Sequence, residues 1–227
     1  MYEHVFKLKY ERVLISGWVR VPPPRLGPVP RGVAIPEIRQ ELFAAVERVI
    51  GRDGPGRLSG RAVTTEAGVA SGLLYAHFAD LDDFLAAYAT DRAFLISAGT
   101  SALADRAGTG EVAGNLCDAV TATPLTSLRA ALTLLVARPG LVERVHAVLG
   151  PGNSGLDALE TATARYLTAE QRLGRIAPTA DPAALALAVV GSFHHLALTA
   201  NAEQDVPARL RRSVAGLLAP VTSPAPA

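Results

Sequence analysis

A chain of 227 residues with 49% hydrophobic side chains is long enough to bury one large core or two small ones without cross-links. Its only cysteine, Cys117, excludes an internal disulfide and fits a reducing compartment, so we expect a cytoplasmic protein. We find neither a charge-free apolar run of about 18 residues nor a signal peptide, and therefore expect no membrane partner.

The net charge of +1 conceals an uneven distribution along the chain. Residues 1–61 hold 11 Lys and Arg against 6 Asp and Glu, a net of +5, whereas residues 62–106 hold 2 against 6, a net of −4. A basic end is typical of proteins that contact phosphates, although a solvated basic surface has the same composition.

The first 32 residues differ from the rest because they contain both lysines and a cluster of prolines. Such a stretch cannot be helical, and it predicts a flexible arm at 1–32 whose Arg25 and Arg31 could reach phosphates. Alternatively, the start is mis-assigned and the native chain begins near Val29 or Val33.

Helical periodicity begins at Pro36, which suits the first turn of a helix, and apolar residues then recur at threes and fours up to Ile50. Gly51 is predicted to end this helix. Ser59 is a good N-cap for a short second helix that runs to about Ala67.

Gly68 then supplies a turn, and a third short helix is predicted at about Ala70 to His77. Asp80 can cap a long fourth helix, in which Asp83 lies at capping-box spacing. The apolar residues that we expect this segment to bury are Val63, Ala67, Val69, Leu74 and Phe78. Two short helices joined by a glycine turn are typical of a helix-turn-helix, which reads DNA in the major groove.

This segment resembles the TetR family of bacterial regulators, in the turn Ala67-Gly68-Val69 and in the closing sequence Tyr75-Ala76-His77-Phe78. The likeness spans about Ile35 to Tyr88. It implies an all-α fold of about nine helices, in which a three-helix DNA-binding domain precedes a larger helical ligand-binding and dimerisation domain. The implied partners are a double-stranded DNA operator, a second copy of the chain and a small, largely apolar effector.

The resemblance also implies which side chains contact DNA. Arg61 corresponds to an arginine that contacts bases or phosphates, the first turn of the third helix faces the major groove, and an aromatic phenol and an imidazole hold the backbone. The implied contact residues are Ser59, Arg61, Ser71, Gly72, Leu73, Tyr75 and His77. Ser71 and Leu81 stand where the family often has basic residues, which implies weaker and less salt-dependent binding. Alternatively, the aromatic residues at 75–78 are ordinary packing.

The last two helical segments are apolar on faces that need a covering partner. On the family pattern we assign them to a homodimer interface formed by Leu187, Val190, His195, Leu210, Val214 and Leu217. The candidate ligand-binding residues are Phe94, Leu116, Leu132, Leu135, Tyr166, Phe193 and His194, for each of which core packing is the alternative. Adjacent histidines at 194–195 point about 100° apart on a helix and cannot chelate one metal, so we expect neither metal nor cofactor.

No enzyme motif is convincing in this sequence. The segment Gly150–Gly155 spells Gly-x-Gly-x-x-Gly, but it follows a helical pattern and not a strand, which indicates an interhelical loop. We therefore expect no catalytic residues and a DNA-binding transcriptional regulator, a ligand-released repressor. The alternative is a non-catalytic helical interaction protein with weak or lost DNA affinity. The predicted domains are an arm at 1–32, a helix-turn-helix domain at 33–80, a ligand-binding and dimerisation domain at 81–219 and a disordered tail at 220–227.

Overall fold

The described part of the chain has the all-α fold that the sequence predicts. The computed structural model describes residues 35–100, 102–151, 155–201 and 204–222, so the predicted arm at 1–32 and most of the predicted tail lie outside the described residues. Within these ranges there are ten α-helices, one more than expected, and no strand beyond an isolated bridge between Ile176 and Thr222. The helices are α1 (Ile35–Asp53), α2 (Gly60–Glu66), α3 (Gly72–His77), α4 (Leu81–Gly99), α5 (Val112–Val120), α6 (Leu125–Ala137), α7 (Gly140–Leu149), α8 (Gly155–Arg172), α9 (Pro182–Thr199) and α10 (Val206–Leu218).

Side-chain caps fix the starts of several helices. The Ser59 hydroxyl accepts a hydrogen bond from the backbone N–H of Ala62 at 3.1 Å, and Asp80 accepts one from the N–H of Asp83 at 2.7 Å. These caps satisfy backbone donors that a helix start leaves unpaired, and both were predicted. Two predicted boundaries were wrong: α1 continues past Gly51, and α3 begins at Gly72 and not at residue 70.

Aromatic packing between α1 and α4 forms the core of the N-terminal helices. The ring of Phe43 lies 5.7 Å from that of Phe84 and 5.6 Å from that of Tyr88, and Phe78 packs edge-on against Phe84 at 5.0 Å. Tilted and edge-to-face arrangements of this kind suit the quadrupoles of aromatic rings. Phe78 is therefore an anchor that ties the end of α3 to α4.

The larger core lies among α5, α6, α8, α9 and α10. Arg129 of α6 adds a polar tie, because its Nε and Nη2 each donate a 2.6 Å hydrogen bond, to the carbonyls of Ala197 and Ala200. These carbonyls belong to the C-terminal end of α9, where a helix presents unpaired acceptors and partial negative charge. The guanidinium therefore holds the end of α9 against α6.

The ninth helix is more apolar than the sequence analysis allowed. With 18 residues and a mean hydropathy of 1.4, α9 is long and apolar enough to cross a membrane, which corrects the expectation that no such stretch exists. It packs against α6, α8 and α10, and a third of its residues are buried, so part of its apolar surface serves the core of this chain.

Three of the residues predicted at a dimer interface belong to this core. Val190, Leu210 and Val214 are buried within the single chain, between α9, α10 and their neighbours. A side chain with almost no exposed area cannot contact a second copy, so the assignment of these three residues to an interface was wrong. The part of the apolar stripe of α10 that contains Leu210 and Val214 is covered by helices of this chain.

Candidate nucleic-acid interface

The turn between α2 and α3 has the geometry that the sequence predicts. Gly68 has φ +67°, a left-handed conformation that side chains disfavour. Its N–H donates to the carbonyl of Thr65 at 3.1 Å, and the N–H of Val69 donates to that of Thr64 at 3.0 Å. This pair of bonds is a Schellman motif, which ends α2 and redirects the chain into α3.

The third helix is anchored on one side and exposed on the other. Leu74 and Phe78 are buried, whereas Ser71 and Gly72 at its start are exposed and Tyr75 is 56% exposed. Because α3 lies on the surface with its first turn uncovered, its start is accessible to a duplex. This meets the requirement for a recognition helix, which contacts base edges with its N-terminal residues.

Tyr75 lies across the beginning of α2. A methyl group at Gly60 would stand 2.6 Å from the Tyr75 hydroxyl oxygen and 3.2 Å from Cζ, so the ring rests directly over this glycine. The neighbours of Gly60 in sequence are Ser59 and Arg61, both exposed. The structure therefore brings together three of the predicted DNA-contact residues, although the Ser59 hydroxyl already serves as a helix cap.

The other predicted contact residues are less exposed. Leu73 and His77 are half-buried, so each presents only part of its side chain to a partner. Ala67 and Val69, which we expected to be buried, are also half-buried, because the turn that contains them lies at the surface.

Two arginines of the basic segment 1–61, Arg48 and Arg52, form ion pairs within the chain. Glu66 accepts hydrogen bonds from Arg52 Nη1 at 2.6 Å and from Arg48 Nε at 2.8 Å. These hydrogen bonds lower the pKa of the Glu66 carboxyl, and the bond from Arg52 has the larger effect. The two arginines connect α1 to α2, and because both are paired with Glu66 they are less available to phosphates. Arg57 and Arg61 are exposed and form no ion pair within the described part of the chain, so they are the arginines best placed for phosphates.

A buried charge cluster connects the N-terminal helices to the larger core, and sequence reasoning missed it. The carboxylate of Glu47 lies 2.7 Å from Arg92 Nε in α4, and it accepts a 2.9 Å hydrogen bond from the Ser127 hydroxyl in α6. The Arg92 contact is an ion pair without hydrogen-bond geometry at Nε. Burial is the main reason that the pKa of the neighbouring Tyr88 phenol is raised, and the Glu47 carboxylate raises it further. The phenol therefore stays neutral.

The candidate ligand-binding residues are not all in one place. Leu116, Tyr166 and Phe193 meet in the large core, and Leu132 packs against it. Leu135 packs instead against a small cluster that contains Ala89, Ala93 and Val145, while Phe94 and His194 are half-buried.

Polar groups accompany the aromatic residues of the large core. The amide of Asn115 donates to the Tyr166 hydroxyl at 2.9 Å, and the buried Glu170 carboxylate accepts from the N–H of Gly108 at 3.3 Å and pairs with Arg175 at 3.2 Å. Burial raises the pKa of Tyr166, and a hydrogen bond with Glu170 raises it further. Tyr166 therefore stays neutral and supplies a hydroxyl inside the large core, beside the Asn115 amide and the Glu170 carboxylate.

Two surface clefts lie outside this core. One, of about 480 Å³, lies between α9 and α10 and includes His195, Arg209 and Arg212. The other, of about 450 Å³, lies along α8 and includes Arg165 and Arg172. Within the described ranges, no three His, Cys, Asp or Glu side chains are grouped as a metal site would require.

The N-terminal region matches a known family. Residues 42–88 match the family described as bacterial regulatory proteins, tetR family, and these residues include α2, α3 and the turn between them. No curated protein sequence matches the chain.

Solved structures of bacterial regulators share this fold over about four fifths of the chain. A transcriptional regulator from Rhodococcus sp. Rha1 is 23% identical, with a TM-score of 0.60 over 82% of this chain and 99% of that one. The TetR-family regulator PfmR from Thermus thermophilus is 13% identical, with a TM-score of 0.63 over 78% and 97%. SmeT of Stenotrophomonas maltophilia, in complex with triclosan, is 17% identical, with a TM-score of 0.60 over 83% and 93%. At these identities the likeness establishes the fold, which extends over nearly the full length of each relative.

Proposed function

Because its helix-turn-helix region makes this chain a member of the TetR family of bacterial regulatory proteins, we propose that it is a transcriptional regulator that binds a palindromic operator as a homodimer. The observation that carries the proposal is the exposure of α3, whose uncovered first turn lies beside Tyr75 and Arg61. In this assignment residues 33–80 form the DNA-binding domain and residues 81–219 the ligand-binding and dimerisation domain.

The proposed contacts divide into two kinds. Ser71, Gly72 and Leu73 face the bases, whereas Tyr75 and His77 hold the phosphate backbone through hydrogen bonds. Arg61 and Arg57 supply the positive charge that releases counterions from the duplex. Since Arg48 and Arg52 are occupied by Glu66, few cations remain, and the salt dependence of binding is shallow.

A second copy of the chain is the proposed occupant of the exposed face of α9. Leu187 is 59% exposed and Leu198 42%, and with Gly191 and His195 they follow one another at helical spacing along this face. An exposed apolar stripe next to a well-packed core is typical of an interface. Leu217 of α10 is half-buried, so of the residues first assigned, Leu187, His195 and Leu217 keep exposed surface and remain in the proposed interface.

The proposed effector is a small, largely apolar molecule that binds in the cytoplasm and releases the protein from DNA. The aromatic and aliphatic side chains of Leu116, Tyr166 and Phe193 support an apolar ligand, and the Tyr166 hydroxyl and the Asn115 amide supply polar contacts. SmeT, which shares the fold, has been solved with triclosan. Release follows when the ligand favours a conformation in which the two recognition helices no longer match successive grooves.

Binding to DNA from upstream of the protein's own gene tests this function. The affinity is compared with that for scrambled DNA of equal length at the same salt concentration, for the wild type and for Arg61→Ala. We expect the wild type to prefer the native DNA and Arg61→Ala to bind both weakly, whereas the matched control Arg165→Ala, on α8, leaves the affinity unchanged. Equal affinity of the wild type for both DNAs would contradict the proposal and favour a helical interaction protein without operator binding.

A further inference from the structure

Gly60 is a glycine at a position where the backbone does not require one. It is the first residue of α2, and its φ does not lie in the left-handed region. Alanine is a better helix former than glycine, by up to about 1 kcal/mol in a helix interior. The local conformation therefore gives no reason for the absence of a side chain.

The reason for the glycine is the space that Tyr75 occupies. A Cβ at position 60 would lie 2.6 Å from the tyrosine hydroxyl oxygen, 3.2 Å from Cζ and 3.7 Å from Cε2. Non-bonded heavy atoms are most favourably separated by about 3.5–4.0 Å, so the first two distances are repulsive. By contrast, the helical glycines Gly51, Gly191 and Gly216 have no atom within 4 Å of an added Cβ.

We propose that Gly60 is a positioning residue for Tyr75: by lacking a side chain it lets the phenol lie across the first turn of α2, where the hydroxyl meets the DNA backbone. The inference rests on the proposed function, in which Tyr75 contacts a phosphate. Tyr75 keeps 56% of its surface exposed in this position, so the ring is supported on one side and open to a partner on the other.

This support contributes to affinity by reducing the freedom of the ring before DNA binds. A side chain that is held in its bound orientation loses less conformational entropy on association than a free one. With alanine at residue 60, the ring turns outward, because the clash involves the far end of a movable side chain and not the backbone. The hydrogen bond of 3.0 Å from the Thr64 hydroxyl to the Gly60 carbonyl is retained, since any residue supplies that carbonyl.

The test compares Gly60→Ala with the control Gly51→Ala, an exposed helical glycine with free space around it. We expect both variants to melt at or above the wild-type temperature. Gly60→Ala weakens operator binding about tenfold, as the loss of one good hydrogen bond does, without changing the salt dependence because no charge is removed. Gly51→Ala binds like the wild type.

A double-mutant cycle identifies the residue through which Gly60 acts. In a Tyr75→Ala background, Gly60→Ala causes no further loss of affinity if its whole effect passes through the ring. In the free wild-type protein, nuclear Overhauser contacts between the Gly60 Hα protons and the Tyr75 ring show the same arrangement without DNA.

Unchanged operator affinity of Gly60→Ala, an equal loss in the Tyr75→Ala background, unfolding of the variant or absence of the ring contacts would each overturn this inference. These results leave the proposed function intact as long as the wild type still prefers operator over scrambled DNA. Failure of that preference instead overturns the proposed function, and with it the role of Gly60 in DNA binding.

Discussion

Ser127 in α6 donates a 2.9 Å hydrogen bond to Glu47 in α1, across 80 residues of sequence. The same carboxylate forms a 2.7 Å ion pair with the buried Arg92 of α4. One side chain therefore joins the first helix of the DNA-binding region, the helix that leaves it and a helix of the larger core. A shift of α6 relative to α4 would therefore change the contacts of Glu47 directly.

Removal of the Glu47 carboxylate destabilises the chain. In Glu47→Ala the buried Arg92 guanidinium loses the carboxylate at 2.7 Å and keeps that of Asp91 at 3.1 Å, so we expect a cost at the lower end for breaking a buried pair, about 3 kcal/mol. We expect that loss in the free energy of unfolding by urea, and about 1.5 kcal/mol for Ser127→Ala, which removes a hydrogen bond to a charged group. The control Glu41→Ala, in an exposed pair with Arg48, changes it by less than about 1 kcal/mol. Equal effects of Glu47→Ala and Glu41→Ala would contradict the assignment of a structural junction.

Acid weakens the connection between α1 and α2. The pKa of Glu66 is lower in the folded chain than in the unfolded chain because Arg52 and Arg48 donate hydrogen bonds to its carboxylate. The folded state therefore binds fewer protons. The stabilisation is complete above the unfolded pKa of about 4.3 and is lost as the pH falls through the folded value. The melting temperature of the wild type should decrease more steeply below about pH 4.3 than that of Glu66→Gln.

The control for this measurement is Glu143→Gln, an exposed carboxylate that forms no ion pair in the described part of the chain. It should follow the wild-type pH profile. Identical profiles for the wild type and Glu66→Gln would show that the two arginine contacts do not contribute.

Leu187 tests the proposed dimer face on α9. Leu187→Glu places a charge on the exposed face of α9, and because the side chain is 59% exposed, the protomer fold tolerates it. We expect sedimentation to show that this variant is a monomer. We also expect it to bind the operator more weakly than the wild type does. Val136→Glu on α6, where the valine is 79% exposed, is the matched control and should remain dimeric. A dimeric Leu187→Glu would assign the interface elsewhere, and a monomeric wild type would exclude the homodimer.

Cys117 is expected to be unreactive in the native protein. Its side chain is buried in the large core, and burial raises the pKa of the thiol, so little thiolate is accessible. Ellman's reagent should label it slowly in buffer and stoichiometrically in urea. Rapid labelling of the native chain would show that this part of the core opens readily.

Local features of the fold could be predicted from the sequence because their causes are local. Ser59 and Asp80 were identified as caps, since a cap needs only a polar side chain next to the backbone donors that it satisfies. Gly68 was identified as the turn because its conformation is costly for other residues. Leu74 and Phe78 are buried as predicted, and Tyr75, which the resemblance implied as a DNA contact, is exposed on the same short helix.

Other features depend on which helices meet, and periodicity does not specify that. The apolar stripe that contains Leu210 and Val214 indicates that α10 is covered, but not that α9 and α5 of the same chain cover it. Similarly, nothing local distinguishes Arg92, which is buried against Glu47, from the exposed Arg61. The role of Gly60 could not be predicted from its own sequence neighbours either, because Tyr75, which lies next to it in space, follows it by 15 positions in the sequence.

The central claim, that the first turn of α3 enters the major groove, is tested most directly by DNA cleavage from that turn. A Ser71→Cys variant carries an iron chelate at this exposed position, while the buried Cys117 remains unlabelled. We predict two symmetric clusters of cleavage on operator DNA, with centres about one helical turn apart. Cleavage spread evenly along the duplex, or none from residue 71 while the operator is bound, would contradict the claim.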